Sequence, residues 1–435
     1  MTSTLAQKSA KATQGEIDMT RHYSAFSVFR EGLKGHKGWA PLWRSPAPQD
    51  AYDVIVIGGG GHGLATAYYL AKNHGIRKVA VIEKGWLGGG NTGRNTTVIR
   101  SNYFYPESTR LYDLSVRLYE KLSRDINYNV MFSQRGMMVL THSEAEMEIA
   151  SRTVNAMQIN GVDAELLDVK DVQKKAPILN YRSDARYPIH GAIFQGRGGT
   201  GRHDAVAWGY ARAADQQGVD IIQNCEVTGF LIEGGVCKGV ETTLGKIRSD
   251  RVGVAVAGHS SVLAEMGGYN LPINSYALQA FVTEAVKPVM DTVAFSPMTG
   301  SYFSQSDKGG LVIGGGLDRI PSYAQRGNTP TQETVLSGII EMAPALAKVK
   351  LLRHWAGNVD VSPDSSPLIG PSGTQGIYIN CGWGTGGFKA IPAGGYVFAH
   401  LLATGNHHDI SRPFDPDRFR TGRLLDEAAG SGIAH

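Results

Sequence analysis

Residues 52–63 constrain the fold of this chain more strongly than any other stretch of its sequence. The short apolar run Val54–Ile57 is followed by Gly58, Gly60 and Gly63 in the spacing G-x-G-x-x-G, and then by helix-forming residues. An unbroken apolar run of this length is typical of a strand buried on both faces of a parallel sheet. Strand, glycine-rich turn and helix in this order predict a unit that binds a dinucleotide.

Each glycine, together with an acid further along the chain, has a physical role in such a unit. Gly58 allows the tight turn, Gly60 lets the backbone approach a pyrophosphate, and Gly63 lets the helix pack closely on the strand. A second apolar run, Val79–Ile82, leads directly into Glu83, which can accept a hydrogen bond from a ribose hydroxyl. The free N–H groups of the helix start then face the pyrophosphate.

The composition is that of a soluble globular protein, with 42% hydrophobic and 19% charged residues among 435. The formal net charge of +4 is small for this length, so we expect no nucleic-acid partner. Cys225, Cys237 and Cys381 form no C-x-x-C pair, so neither a metal site nor a redox dithiol is indicated. Without a secretory signal or a bilayer-spanning apolar stretch, we expect a cytoplasmic protein with no membrane contact.

Residues 1–50 precede the first strand and show no sustained hydrophobic period. They mix basic and aromatic residues, and the first fifteen or so have the composition of a disordered segment. Two interpretations stay open: an arm packed on its own domain, or an arm that contacts another subunit. The domain assignment below uses the second, and it leaves the role of residues 1–19 undefined.

Further stretches rich in small residues surround the predicted elements. Residues 84–100 follow Glu83 as a loop whose amides we expect to contact a cofactor. Residues 196–204 bring His203 and Asp204 to the start of a predicted helix, and residues 252–258 form a buried strand ending in a small-residue turn. Residues 382–389 connect the last strand to Lys389, at the start of the last long helix.

The fingerprint and the stretches 88–100, 252–258 and 382–389 together resemble FAD-dependent amine and amino-acid oxidases of the D-amino-acid oxidase type. Within that superfamily, two further stretches resemble the family of beta subunits of heterotetrameric sarcosine oxidases: Gly-Arg-His-Asp-Ala-Val-Ala-Trp-Gly-Tyr at 201–210 and Gln-Ser-Asp-Lys-Gly-Gly-Leu at 305–311. Tyr-Ser-Ala-Phe-Ser-Val-Phe-Arg at 23–30 fits the same family. The resemblance extends from about residue 20 to residue 423.

The resemblance implies an α/β fold in which a Rossmann-like FAD-binding domain, a parallel sheet with helices, is interleaved with an antiparallel-sheet substrate domain. We assign residues 51–108, 199–262 and 352–420 to the FAD-binding domain and residues 109–198 and 263–351 to the substrate domain. Residues 1–50 are the N-terminal arm, and residues 421–435 are a C-terminal tail.

The implied activity is the oxidative demethylation of sarcosine. A hydride passes from the N-methyl carbon to noncovalent FAD, and electrons pass on to a covalently bound FMN and then to O2. The products are glycine, H2O2 and a one-carbon unit, as formaldehyde or methylene-tetrahydrofolate. The resemblance also implies alpha, gamma and delta subunits as partners, with NAD and zinc only on those subunits and tetrahydrofolate used by the complex.

Carried over residue by residue, the resemblance makes His203 the attachment point of FMN, with Asp204 in a position to orient its ring. Arg100 and Lys389 correspond to catalytic residues that hold the substrate carboxylate, with Arg94 as a competitor for the role of Arg100. An intramolecular ion pair is the alternative for Arg100, and a solvated cation is the alternative for Lys389. The expected cofactor-binding residues are Gly58, Gly60, Gly61, His62, Gly63, Glu83, Lys84, Asn91, Thr96, Val98, His203, Val227, Gly258, Gly384, Gly387 and Lys389.

There are three alternatives to the interpretation as a sarcosine oxidase subunit. The chain could be the corresponding subunit of a dehydrogenase for another N-methyl amino acid, such as N-methylglutamate, and an extra basic residue for a second carboxylate would favour that substrate. It could also be mainly a cofactor-bearing scaffold subunit, but the presence of both Arg100 and Lys389 argues against this. An FAD-dependent RNA-modifying enzyme would need basic patches and paired cysteines, which the sequence lacks.

Overall fold

The computed structural model describes residues 24–39 and 41–425, and the chain divides after residue 42 into two units. In the first unit, helix α1 (Ala25–Leu33) begins at Ser24, whose side chain accepts a hydrogen bond from the N–H of Ser27. The sequence showed no sustained period here, so this helix corrects that expectation; nine residues are too few for a repeating pattern to stand out. Residues 1–23 and 40 of the predicted arm and residues 426–435 of the predicted tail lie outside the described residues.

The second unit contains the remaining elements. Its helices are α2 (Gly61–His74), α3 (Pro106–Asp125), α4 (Glu144–Ile159), α5 (Val169–Lys175), α6 (His203–Gln216), α7 (Ser260–Met266), α8 (Thr329–Met342), α9 (Ile391–Thr404) and α10 (Arg418–Thr421).

The strands are β1 (Val54–Ile57), β2 (Val79–Ile82), β3 (Val98–Ile99), β4 (Met137–Thr141), β5 (Ala164–Asp168), β6 (Gly191–Gln195), β7 (Gly199–Thr200), β8 (Asp220–Ile222), β9 (Val227–Glu233), β10 (Val236–Thr242), β11 (Gly245–Arg248), β12 (Val252–Val254), β13 (Asn274–Ala285), β14 (Val293–Ser296), β15 (Ser301–Gln305), β16 (Gly310–Leu317), β17 (Leu351–Val361), β18 (Leu368–Pro371) and β19 (Ile377–Cys381).

Strand β1 lies inside a six-stranded sheet of order β18-β19-β12-β1-β2-β8, which is parallel except for β18. Alternate side chains of β1 enter two different cores. Val54 and Val56 belong to the core that includes α2 and α9, whereas Ile55 and Ile57 belong to the core that includes β10 and β11. Burial on both faces is what the unbroken apolar run predicts.

A second, eight-stranded sheet has the order β17-β13-β16-β15-β14-β4-β6-β5. All its pairs are antiparallel except β14 with β4. Small sheets of three strands (β11-β10-β9) and two strands (β3-β7) complete the fold. A largely parallel sheet interleaved in sequence with a largely antiparallel one confirms the predicted fold class.

Strand β17 pairs with β13 in the eight-stranded sheet, while β18 and β19, which follow it, belong to the six-stranded sheet. The chain therefore passes between the two sheets at about residue 362. The domain boundaries assigned from the sequence stay a prediction.

Candidate active site and cofactor cavity

A cavity of about 790 Å³ is lined by residues from both large sheets. Gly58 and Glu83 come from the carboxyl ends of β1 and β2, whereas Met137, Tyr302 and Gly357 come from the eight-stranded sheet. Ligands of open α/β sheets bind at the carboxyl ends of the parallel strands. The cavity is therefore the candidate site for both cofactor and substrate.

The glycine-rich turn has the geometry that a dinucleotide requires. Gly58 has φ of +110°, which favours glycine, and a Cβ on Gly63 would overlap the carbonyl oxygen of Gly58. Gly60 caps α2, and Gly60, Gly61 and His62 line the cavity. The start of α2 therefore faces the cavity, where it can stabilise a pyrophosphate.

Glu83 is held in place by the neighbouring backbone. Its Oε2 accepts a hydrogen bond from the N–H of Gly59 at 2.8 Å, and its Oε1 accepts one from the N–H of Gly85 at 2.9 Å. Each carboxylate oxygen keeps a second acceptor position for a ribose hydroxyl. The turn, the helix start and this acid fit the ribose and pyrophosphate of an FAD.

The loop after Glu83 borders the cavity, and its residues Lys84, Asn91, Thr96 and Val98 all line it. Residues Asn91–Arg94 form a 3-10 helix, in which Thr92 Oγ1 accepts a hydrogen bond from the N–H of Gly61 at 2.9 Å. The Asn91 amide donates to the Asn358 carbonyl. The loop is thus tied to both α2 and β17.

Arg100 and Lys389, predicted to bind a carboxylate, both line the cavity. Arg100 Nη1 donates to the carbonyl and side-chain oxygens of Asn102, at 3.2 and 2.9 Å, and its guanidinium lies 4.5 Å from the Tyr103 ring centre. Lys389 is 6% exposed, and its Nζ donates to the Thr385 carbonyl at 3.0 Å. Burial and the nearby Arg100 charge hold the pKa of Lys389 well below its usual range.

Neither cation pairs with a carboxylate of the described residues. The predicted alternatives, an ion pair for Arg100 and a solvated cation for Lys389, therefore do not match the geometry. A guanidinium without an ion-pair partner, beside a buried lysine whose charged form is disfavoured in the absence of an anion, suits an anionic ligand, because a buried charge is costly unless it is paired.

Tyr302, on β15, is a site residue that the sequence reading missed. Its hydroxyl shares a 2.6 Å hydrogen bond with Thr96 Oγ1, and its burial raises the pKa of the phenol. Gly314, on the adjacent strand β16, makes room for the ring, since a Cβ there would overlap it. The run Gly314-Gly315-Gly316 opposite a strand tyrosine was the available signal.

Asp360 was also missed. This cavity-lining residue is 1% exposed, and its Oδ2 accepts a hydrogen bond from the N–H of Gly382 at 2.5 Å. Burial raises the pKa of its carboxyl to about 7. No sequence pattern separates it from other strand residues, because its depth depends on how the two sheets meet.

Most of the predicted cofactor residues line the cavity. The lining includes Gly58, Gly60, Gly61, His62, Glu83, Lys84, Asn91, Thr96, Val98, Val227, Gly384, Gly387 and Lys389. Gly63 and Gly258 lie outside the lining and act as packing positions: a Cβ on Gly258 would approach the Asn358 carbonyl oxygen to 2.6 Å. His62 bonds through Nε2 to the Gly387 carbonyl at 2.8 Å and stacks on Trp383. These contacts join the helix start to the loop before Lys389.

His203 is the first residue of α6 and does not line the cavity. Its half-buried imidazole makes no hydrogen bond to a described residue, and burial lowers its pKa, which favours the neutral ring. Asp204 instead accepts hydrogen bonds from the Arg202 guanidinium and from the N–H of Ala205. The carboxylate expected to orient His203 is therefore engaged by Arg202.

Among the described residues, no group of three or more histidine, cysteine, aspartate or glutamate side chains is arranged to hold a metal ion. Across residues 24–39 and 41–425, every helix is too short or too polar to cross a membrane.

Comparison with known proteins identifies the family to which the chain belongs. Residues 53–401 match the family model described as FAD dependent oxidoreductase. The chain is 52% identical to the sarcosine oxidase subunit beta of Rhodobacter capsulatus, over 95% of this chain and 100% of that protein. It is 54% identical to the same subunit of Rhizobium meliloti, over 93% and 97% of the two chains.

Among solved structures, the L-proline dehydrogenase of P. horikoshii matches with a TM-score of 0.82 and 29% identity, over 87% of this chain and 100% of that one. These matches confirm the resemblance found in the sequence and the assignment of FAD as a cofactor. The chain belongs to the FAD-dependent oxidoreductases and, among them, to the family of sarcosine oxidase beta subunits.

Proposed function

We propose that this chain oxidises sarcosine as the beta subunit of a cytoplasmic multisubunit oxidase. The observation that carries the proposal is the joint position of Arg100 and Lys389 in the cavity that the glycine-rich turn opens into. Sarcosine has one carboxylate, and Arg100 can hold it through two parallel hydrogen bonds while Lys389 adds a third donor. When bound, FAD supplies the two-electron oxidant that takes a hydride from the N-methyl carbon.

The chain's own residues then position the substrate. Anchoring the carboxylate leaves the N-methyl group as the free end of the ligand, and a fixed orientation is a large part of what an enzyme contributes to such a transfer. Tyr103 and Tyr302 place aromatic surface around the anchor, which excludes water. The depressed pKa of Lys389 disfavours its charged form until a carboxylate arrives, so the binding of substrate and of a proton at Nζ support each other.

The electron route beyond the cavity is also part of the proposal. His203 would hold a covalently bound FMN, which would supply a redox group between FAD and O2. The products would be glycine, H2O2 and formaldehyde or methylene-tetrahydrofolate. A neutral imidazole outside the FAD cavity, free of hydrogen bonds to described residues, is compatible with nucleophilic attachment of a second flavin. Alpha, gamma and delta subunits would complete the heterotetramer and carry NAD, zinc and the tetrahydrofolate site.

Substrate identity is tested by comparing kcat/KM for sarcosine and N-methylglutamate, with formaldehyde as the product measured. We expect sarcosine to be preferred by at least ~10-fold, because a second carboxylate would have to lose its hydration. Preference for N-methylglutamate would replace the proposed substrate with the dicarboxylic one. Absence of turnover with either amine would favour a scaffold role.

The FMN site is tested separately by mass spectrometry of peptides from denatured protein purified with its natural partners. We expect a flavin-mass adduct on the peptide that contains His203, and its absence in His203→Asn. An unmodified His203 peptide, with FAD as the sole flavin released, would refute the second-flavin route and leave the FAD assignment intact.

A further inference from the structure

Arg94 also lines the cavity, together with Lys84, Arg100 and Lys389. Its Nε is buried and has no hydrogen-bond partner. No carboxylate in the described part of the chain forms an ion pair with it. Of the acids that line the cavity, Glu83 accepts from backbone N–H groups on both oxygens and Asp360 accepts from the N–H of Gly382. The third, Glu226, is exposed and forms no ion pair with Arg94.

The backbone of Arg94 is held in place. Its carbonyl accepts a hydrogen bond from Trp355 Nε1 at 2.7 Å, and its Cβ lies against Gly357, both on β17. Two residues earlier, Thr92 accepts a hydrogen bond from the N–H of Gly61 at the start of α2. Arg94 is therefore anchored between the helix start and the eight-stranded sheet, with its guanidinium at the cavity wall.

An arginine guanidinium keeps its charge when it is buried, whereas a buried lysine such as Lys389 can lose its proton. A buried donor without an acceptor is costly, and the cost is largest for charged groups. A ligand in the cavity can supply the missing acceptor for Nε, and an anion is the ligand that also compensates the charge.

We infer that Arg94 is an anion-binding residue of this cavity, which takes an anionic oxygen group from a bound ligand. Two sources supply that chemistry within the same cavity: the pyrophosphate of the dinucleotide, and a second carboxylate on an amino-acid ligand. The second source rests on one part of the proposed function, the binding of an amino acid by Arg100 and Lys389, and it would favour a dicarboxylic amino acid over sarcosine.

The test uses the full chain purified with its natural partners, in wild-type form and as Arg94→Gln and Arg94→Lys. Arg152→Gln, at an exposed position on α4, is the matched control. One arm removes FAD and measures the Kd for FAD added back, by flavin fluorescence. The other arm measures the Kd values of acetate and succinate from changes in the flavin spectrum, without turnover.

If the pyrophosphate is the source, Arg94→Gln raises the Kd for FAD by ~10- to 100-fold, as expected for a lost charged hydrogen bond. If a second carboxylate is the source, the same variant raises the Kd for succinate by ~10-fold or more and leaves those for FAD and acetate unchanged. Arg94→Lys should recover part of the loss, because it keeps the charge without the fork of donors.

The inference is overturned if Arg94→Gln and Arg94→Lys both bind FAD and succinate within about twofold of wild type and of the Arg152→Gln control. The proposed function fails on a different result: wild-type protein whose flavin spectrum is not changed by acetate and whose flavin is not reduced by sarcosine. The FAD arm still tests Arg94 in that case.

Discussion

The positive charge of Arg100 contributes to the low pKa of the Lys389 ammonium group, although the two residues are almost 300 positions apart in the chain. Each donates only to neutral oxygens, of Asn102 and Thr385 respectively. Burying a lysine beside a guanidinium, with no carboxylate to pair with either, opposes folding unless the two residues serve a ligand. Their proximity is thus better explained by binding than by stability.

Replacing Lys389 by Met tests this explanation. The substitution removes a buried amine whose lowered pKa costs stability, and it keeps the volume of the side chain, so we expect a free energy of unfolding no lower than that of wild type. The affinity for acetate should fall by ~10-fold or more, because the carboxylate loses a charged donor. Urea unfolding and flavin-perturbation titration measure the two effects. A large loss of stability with unchanged acetate binding would make Lys389 a structural residue.

The Thr96–Tyr302 hydrogen bond can be examined by a double-mutant cycle. Tyr302→Phe and Thr96→Val each leave one partner hydroxyl unpaired, and each should cost about 1–3 kcal/mol of stability. The double variant should cost less than the sum of the single variants, because neither unpaired group remains. Denaturant unfolding of the four proteins gives the coupling energy. Additive costs would show that the two hydroxyls do not depend on each other.

Asp360 should make the stability depend on pH. An unfolded carboxyl loses its proton near pH 3.8, whereas the folded one keeps it up to a pKa of about 7. Between these values the folded state binds more protons, so stability falls as pH rises, by up to ~1.4 kcal/mol per pH unit. Above the folded pKa the penalty is complete and constant.

Asp360→Asn removes this titration, while its amide oxygen can still accept from Gly382. Urea midpoints at about pH 5 and about pH 8 should therefore differ less in the variant than in wild type. An identical pH dependence in both proteins would mean that the Asp360 carboxyl is ionised throughout this range.

Gly63→Ala tests the close packing of α2 on β1. The added Cβ would overlap the Gly58 carbonyl, so we expect a loss of about 2–3 kcal/mol of stability and weaker retention of FAD on dialysis. Gly32→Ala, in α1, is the control, since a Cβ there meets no atom within 4 Å. Equal stability and FAD content in the two variants would contradict the packing role of Gly63.

The sequence predicts those parts of the fold and site that depend on neighbouring residues. The turn from Gly58 to Gly63 and the acid Glu83 could be assigned because their spacing reflects local backbone geometry. Tyr302 and Asp360 could not, because strands distant in sequence bring them to the cavity. The same holds for the low pKa of Lys389, which depends first on its burial and then on the charge of Arg100.

The most direct test of the central claim is anaerobic mixing of the purified protein with sarcosine while the visible absorbance of the flavin is recorded. We expect the absorbance to bleach at a rate that saturates with sarcosine concentration. In Arg100→Gln, saturation should require ~10- to 100-fold more sarcosine, because the carboxylate loses its paired donors. Wild-type protein that keeps its full flavin absorbance at every sarcosine concentration would contradict the proposed oxidation of sarcosine in this cavity.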